Sequence, residues 1–171
     1  MLVTLDLGYP DVTACLRDRT VNSACVTDAL GRVRSALPKM VSRLRAAGGS
    51  SLRIVGLDYE DPFLGYYVGK SDPDPSFADA SARAVERLDR VVNAAYKSVD
   101  VRVAQVGAAF DIGVTTPAHL AGWGTVPLDV KRICTLTWVC TDGNIHPNTQ
   151  GYRKIASAVE AILAGKGSPK D

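Results

Sequence analysis

Three short apolar runs, set far apart, leave this chain few folds. Leu2 to Leu7, with Asp6 inside it and Gly8 ending it, Leu52 to Leu57, and Val99 to Val106 each suit a strand buried in a parallel sheet. The stretches between them have helical spacing. From Thr27, the expected N-cap, Leu30, Val33, Leu37, Val41 and Leu44 recur until Gly48-Gly49, with Pro38 expected to kink or split the helix. Asp72-Pro73-Asp74-Pro75 marks a loop, after which Phe77, Ala84, Leu88, Val91, Val92 and Ala95 make one face of a long helix. Gln150 to Leu163 is the expected last helix, with Tyr152, Ile155, Ala156, Val159 and Ile162 turned inward. Strands alternating with helices in this way predict an α/β fold, a three-layer α/β/α arrangement around a parallel sheet. Chemistry in such sheets lies beyond the carboxyl ends of the strands, so the residues after Leu7, Leu57 and Val106 are the ones to search.

At 171 residues there is room for one domain, read as residues 1–164, with a flexible tail at 165–171. A net charge of +2, with lysines and arginines spread along the chain, excludes a basic patch for nucleic acid or an anionic membrane and favours a small-molecule partner. No apolar run approaches the roughly 20 residues that span a bilayer, and no signal peptide precedes the first strand. The four cysteines nevertheless fall as two close pairs, Cys15 with Cys25 and Cys134 with Cys140, as the short disulfide loops of exported proteins do. Both observations fit a chain that is the downstream part of a longer secreted or cell-envelope precursor. Zinc is the weaker reading of the cysteines, because neither pair has a Cys-x-x-Cys spacing.

The segment Cys134-Thr-Leu-Thr-Trp138-Val-Cys140-Thr-Asp142-Gly-Asn144-Ile-His146-Pro147-Asn148-Thr-Gln-Gly151-Tyr152 places a His-Pro pair just before the last helix. It resembles the final conserved block of the SGNH, or GDSL-type, hydrolases. Leu2-Val-Thr-Leu-Asp-Leu-Gly8-Tyr9-Pro10-Asp11-Val12 is similar to that family's third block, a strand ending in Gly-x-Asn-Asp. Asp58-Tyr59-Glu60-Asp61-Pro62-Phe63-Leu64, and Trp138 between two cysteines, look like its actinobacterial, disulfide-bearing branch. The resemblance implies a flavodoxin-like sandwich of sheet order 2-1-3-4-5 that hydrolyses carboxylic esters through an acyl-serine, with no cofactor and no metal. His146 would then be the general base and Asp142 the acid that orients its ring, although Asn144 or a backbone carbonyl is an alternative.

The departures from that family are as informative as the matches. No serine has the Gly-Asp-Ser context of the first block, and the first two strands are missing, so this chain alone offers no acyl-enzyme nucleophile. Pro10 stands where the oxyanion-hole asparagine belongs, between Gly8 and Asp11, and offers neither a side-chain nor a backbone donor. A non-catalytic binding or structural descendant of the fold is therefore the alternative to an esterase. In the family's strand order Leu2 to Leu7 would be an unpaired edge, a surface for self-association or for another chain.

Three features remain. His119 reads as a loop or substrate-rim residue. Asp58, Glu60 and Asp61, with Asp6 and Asp11, read as solvated loop carboxylates before they read as a divalent-ion site. Tyr59 and Trp138, with Tyr9, either line an acyl pocket or pack over the loops and the disulfide.

Overall fold

The computed structural model describes residues 1–49, 51–69 and 72–165. In chain order its elements are β1 (Leu2–Leu5), α1 (Tyr9–Thr13), β2 (Leu16–Arg17), β3 (Thr20–Val21), α2 (Ser23–Gly48), β4 (Arg53–Leu57), a 3₁₀ helix (Pro62–Tyr67) and α3 (Pro75–Lys97). There follow β5 (Arg102–Ala104), α4 (Val106–Ala109), β6 (Pro117–Leu120), β7 (Gly124–Pro127), α5 (Leu128–Leu136), β8 (Thr137–Trp138), α6 (Val139–Asp142), β9 (Asn144–Pro147) and α7 (Thr149–Leu163). The tail expected at 165–171 lies, beyond Gly165, outside the described residues.

The fold is α/β. All three expected runs enter one parallel sheet of order β1-β4-β5, with Leu5 opposite Gly56 and Leu57 opposite Ala104. Side chains alternate across it, as a period of two requires. Val3, Leu5, Ile54 and Val103 pack with Val33 and Leu37 of α2 and with Val85, Leu88 and Val92 of α3. Val55, Leu57 and Ala104 turn to the other face, against Val130 and Ile133 of α5 and Ile162 of α7. Gly56 has no side chain because Tyr96 occupies the space: a Cβ there would lie 2.6 Å from the ring, whose hydroxyl donates to the Leu5 carbonyl at 3.1 Å.

Several boundaries differ from the expected ones for local reasons. α2 begins at Ser23 rather than after Thr27, because Asn22 is the cap and its side chain accepts the Cys25 N–H at 3.0 Å. It runs without interruption past Pro38, so the proline does not split it. β5 stops at Ala104 because Asp58, arriving from the end of β4, accepts the N–H groups of Val106 and Gly107 and starts α4 there. Short pairings that periodicity does not reveal fill the connections: β2 with β3, β6 with β7, and β8 with β9, all antiparallel. Both cysteine pairs form disulfides, Cys15–Cys25 and Cys134–Cys140.

β1 has a strand partner on one side only among the described residues. Alternate residues of a parallel strand turn their N–H and C=O to the same side, and Arg53 donates to the Met1 carbonyl at 3.0 Å. Odd-numbered residues therefore bond to β4, and Leu2, Thr4 and Asp6 present their backbone to the open edge. The side chains of Leu2 and Thr4 are exposed as well.

Candidate functional site

Beyond the carboxyl ends of β1 and β4 lies a cleft of 340 Å³ lined by Asp6, Tyr9, Pro10, Tyr59, Glu60 and His146 over a floor that includes Leu57 and Val106. Each strand end delivers part of it. Gly8, at φ 112°, turns the chain off β1 into α1, and α1 carries Tyr9 and Pro10 to the rim. The turn after β4 supplies Asp58, Tyr59 and Glu60. β9 brings His146, and Asn148 closes that strand by capping α7, its Oδ1 accepting from Gln150 and Gly151.

The His146 ring is exposed, and its Nδ1 lies 2.7 Å from Asn144 Oδ1. The same oxygen accepts the His146 backbone N–H at 2.9 Å, which fixes the amide's orientation, since an NH₂ group could not accept. Nδ1 facing an acceptor must carry the proton. In the neutral ring the lone pair is then on Nε2, the arrangement a general base needs. The ring partner is thus Asn144, not Asp142. Gly143 at φ 70° turns the chain after α6, and Asp142 sits in a neighbouring cleft, where its Oδ2 accepts from Thr141 at 3.1 Å.

The other expected residues divide. Tyr9 and Tyr59 line the cleft and stack on each other with ring centroids 5.1 Å apart. Trp138 is 44% exposed on β8 and lines neither cleft. Gly8 and Asp11 border a separate groove against α2, while Pro10 faces the His146 cleft. His119 is exposed on β6, opposite Thr125, and not in a loop. Tyr152, expected inward, is 54% exposed and stands at the cleft rim, and Ala156 is exposed too, because α7 covers β4 and β5 while no described layer packs on its outer face.

The acids after β4 are not the solvated carboxylates that their sequence suggests. Asp58 is buried, and burial raises its pKa while hydrogen bonds from Gly107, Asn93 and Val106 pull it back. Glu60 is half-buried and likewise raised by burial. Asp89, on α3, accepts the Tyr59 N–H at 3.0 Å and is pushed up to about 8, by burial first and by Asp58 next. Nothing in its helical context marks Asp89 as anything but a surface charge. Among the described residues no three His, Cys, Asp or Glu side chains are gathered to hold a metal ion.

Asp61 is fully buried and pushed up to about 7, chiefly by desolvation. Its surroundings suit the protonated acid. Ser81 Oγ lies 2.7 Å from Asp61 Oδ2 and 2.8 Å from the Ala78 carbonyl, yet a hydroxyl has one proton. When Asp61 is protonated it donates to Ser81, which donates onward to Ala78, and every group is satisfied. A folded pKa above the unfolded one means that the folded state binds more protons, so this contribution to stability falls as pH rises from about 4 to about 7. Each tenfold difference in proton affinity between the folded and unfolded states is worth about 1.4 kcal/mol, which makes the loss on the order of 4 kcal/mol. Asp61→Asn keeps the acceptor for the Phe63 N–H and gives Ser81 a permanent donor. Urea unfolding at pH 4.5 and 7.5 is expected to show a smaller fall for this variant than for the wild type, and equal falls would refute the assignment.

Comparison with known protein families, with curated protein sequences and with solved structures finds no match for this chain.

Proposed function

We propose that this chain is the base-bearing part of an SGNH-type ester hydrolase, acting on a small carboxylic ester outside the cell. The observation that carries the reading is the His146 ring, held by Asn144 as the Nδ1–H tautomer in a cleft it shares with Tyr9 and Pro10 beyond the carboxyl ends of parallel strands. Support also comes from the order β1-β4-β5, which is that of the last three positions in the family's 2-1-3-4-5 sheet, and from two disulfides compatible with an extracellular location.

No serine, threonine, cysteine or lysine among the described residues lines the cleft, so the nucleophile has to come from elsewhere. The open edge of β1 leads into the cleft at Asp6, and a parallel strand added there would deliver its own carboxyl end beside His146. A second copy of the chain pairing along Leu2 to Leu5 would block that edge by self-association. The competing reading is a non-catalytic binding protein, favoured by Pro10 at the oxyanion position. An aryl fluorophosphonate, applied to the whole gene product, separates the two. Labelling of a single serine is expected; a folded protein that takes no label would leave the binding reading alone.

A further inference from the structure

On the side of the sheet away from α5 and α7, a groove of 570 Å³ runs between α2 and α3. Thr27, Leu30, Gly31 and Arg34 form its α2 wall, one face of that helix at a spacing of three and four residues, and Arg87, Arg90 and Val91 form the wall on α3. It shares no residue with the His146 cleft. Leu30 and Val91 belong to the core beneath it, whereas Thr27, Gly31, Arg34 and Arg90 are exposed and Arg87 is half-buried. Arg34 and Arg87 lie far apart in the sequence. Only the packing of α2 on α3 brings them to one groove, which is why a chain whose basic residues are spread gives no local sign of it.

Three arginines thus line one groove, and no carboxylate lines it with them. Asp28, the one acid of α2, lies outside the lining. Arg90 is answered by Glu86, one turn away on α3. Arg87 donates to the Thr27 hydroxyl at 2.9 Å, a neutral partner that holds the guanidinium across the groove and leaves its charge unmet. Arg34 has no ion pair among the described residues. Two positive charges are left over. A second and independent observation is Gly31. Glycine in the middle of a helix destabilises it relative to alanine, and no neighbour requires it here, since nothing lies within 4 Å of the position of its absent Cβ. What the missing side chain does is keep the groove open between Thr27, which holds Arg87, and Arg34. A neutral occupant answers neither charge, and a carboxylate answers one. A phosphomonoester carries about 1.5 to 2 negative charges at neutral pH and three acceptor oxygens, which suit the forked donors of arginine.

We propose that the groove between α2 and α3 is a binding site for a phosphomonoester group, held by Arg34 and Arg87 over the gap left by Gly31, with Arg90 at its rim. The site goes beyond the ester reading and requires nothing of it. Calorimetric titration of the chain near neutral pH with phenyl phosphate, and with phenyl sulfate, a monoanion of similar shape, tests it. Saturable binding of the phosphate is expected, about ten-fold tighter than that of the sulfate. Sedimentation with phosphatidylcholine vesicles that carry phosphatidic acid tells whether the same group is also met on a lipid: binding of phenyl phosphate alone assigns a soluble ester, and binding of the vesicles assigns a headgroup. Arg34→Gln and Arg87→Gln are each expected to weaken the probe that binds by on the order of ten-fold, as loss of a hydrogen bond to a charged group does. Gly31→Leu keeps all three arginines, fills the gap and is expected to weaken it as much. Lys154→Gln removes an equal charge from an exposed position of α7, across the sheet, and should leave binding unchanged. Circular dichroism confirms that each variant is folded, and one arginine variant suffices if the other is not. Folded wild type that binds neither probe, equal affinity for phosphate and sulfate, undiminished binding in folded Gly31→Leu, or a loss in Lys154→Gln as large as that in the arginine variants would each overturn the assignment.

Discussion

Replacing His146 with alanine is expected to lower aryl-ester turnover by about 10²- to 10⁴-fold, the range lost when a positioned general base is removed. The measurement is made on the polypeptide that includes the nucleophile, and the loss should fall on kcat with KM nearly unchanged, because the ring is exposed and contributes little to the cleft's apolar surface. The structure adds a sharper companion test. Asn144 fixes the tautomer with a neutral oxygen, 2.7 Å from Nδ1, which orients the ring without stabilising the imidazolium that forms when Nε2 takes a proton. Asn144→Asp supplies the missing charge at the same position. A carboxylate there raises the imidazole pKa, so the acidic limb of the pH–rate profile should move to higher pH in this variant. Turnover unaffected by His146→Ala would remove the catalytic reading altogether. A profile that ignores Asn144→Asp would show instead that another group sets the ring's basicity.

How far the sequence foretells this site depends on the range of the interactions involved. The strands are legible because burial on both faces leaves a continuous apolar run, and the face of α3 is legible because Phe77, Leu88 and Val92 repeat at the helical period. The position of His146 is also legible, since a His-Pro pair ahead of a capped helix is a local pattern. Its partner is harder. Asp142 and Asn144 lie on either side of Gly143, and only the left-handed turn at that glycine decides which one the ring meets. Asp58, Asp61 and Asp89 are opaque for a different reason. A carboxylate in a polar stretch looks solvated until the element that covers it is known, and here the partners are remote: Tyr59 meets Asp89, Asp61 meets Ser81 of α3, and Asp58 meets the start of α4. Tyr152 departs from expectation in the opposite direction. Helical spacing places it on the apolar stripe of α7, but a stripe is buried only as far as a neighbouring layer extends, and beside β1 no described layer extends over it.

That dependence on neighbours makes Gly151→Ala the most disruptive single methyl the candidate site can receive. In an exposed helix the change should help by about 1 kcal/mol, because alanine restricts the unfolded chain and favours the helix. Gly31, in the middle of α2 with nothing within 4 Å of its absent Cβ, is the matching control and should show that gain. At Gly151 the added carbon would lie 2.2 Å from the Leu136 carbonyl oxygen and 2.8 Å from Pro147 Cβ. The obstacle is backbone, so one helix end has to move. The Leu136 oxygen also accepts the Asn148 N–H at 2.9 Å, and the Asn148 side chain donates to the Thr135 carbonyl at 2.9 Å. Those two bonds dock the start of α7 on the end of α5, and the residues directly before them are His146 and Pro147. Relieving the contact therefore pulls on the base itself. A net loss on the order of 3 kcal/mol is expected, at the upper end of what overpacking costs. Urea unfolding of both variants measures the contrast, and the His146 ring resonances should shift in Gly151→Ala while staying in place in Gly31→Ala. If Gly151→Ala were as stable as the wild type with an undisturbed ring, α7 would not be seated on α5 as described, and the placement of His146 over the cleft would lose its support.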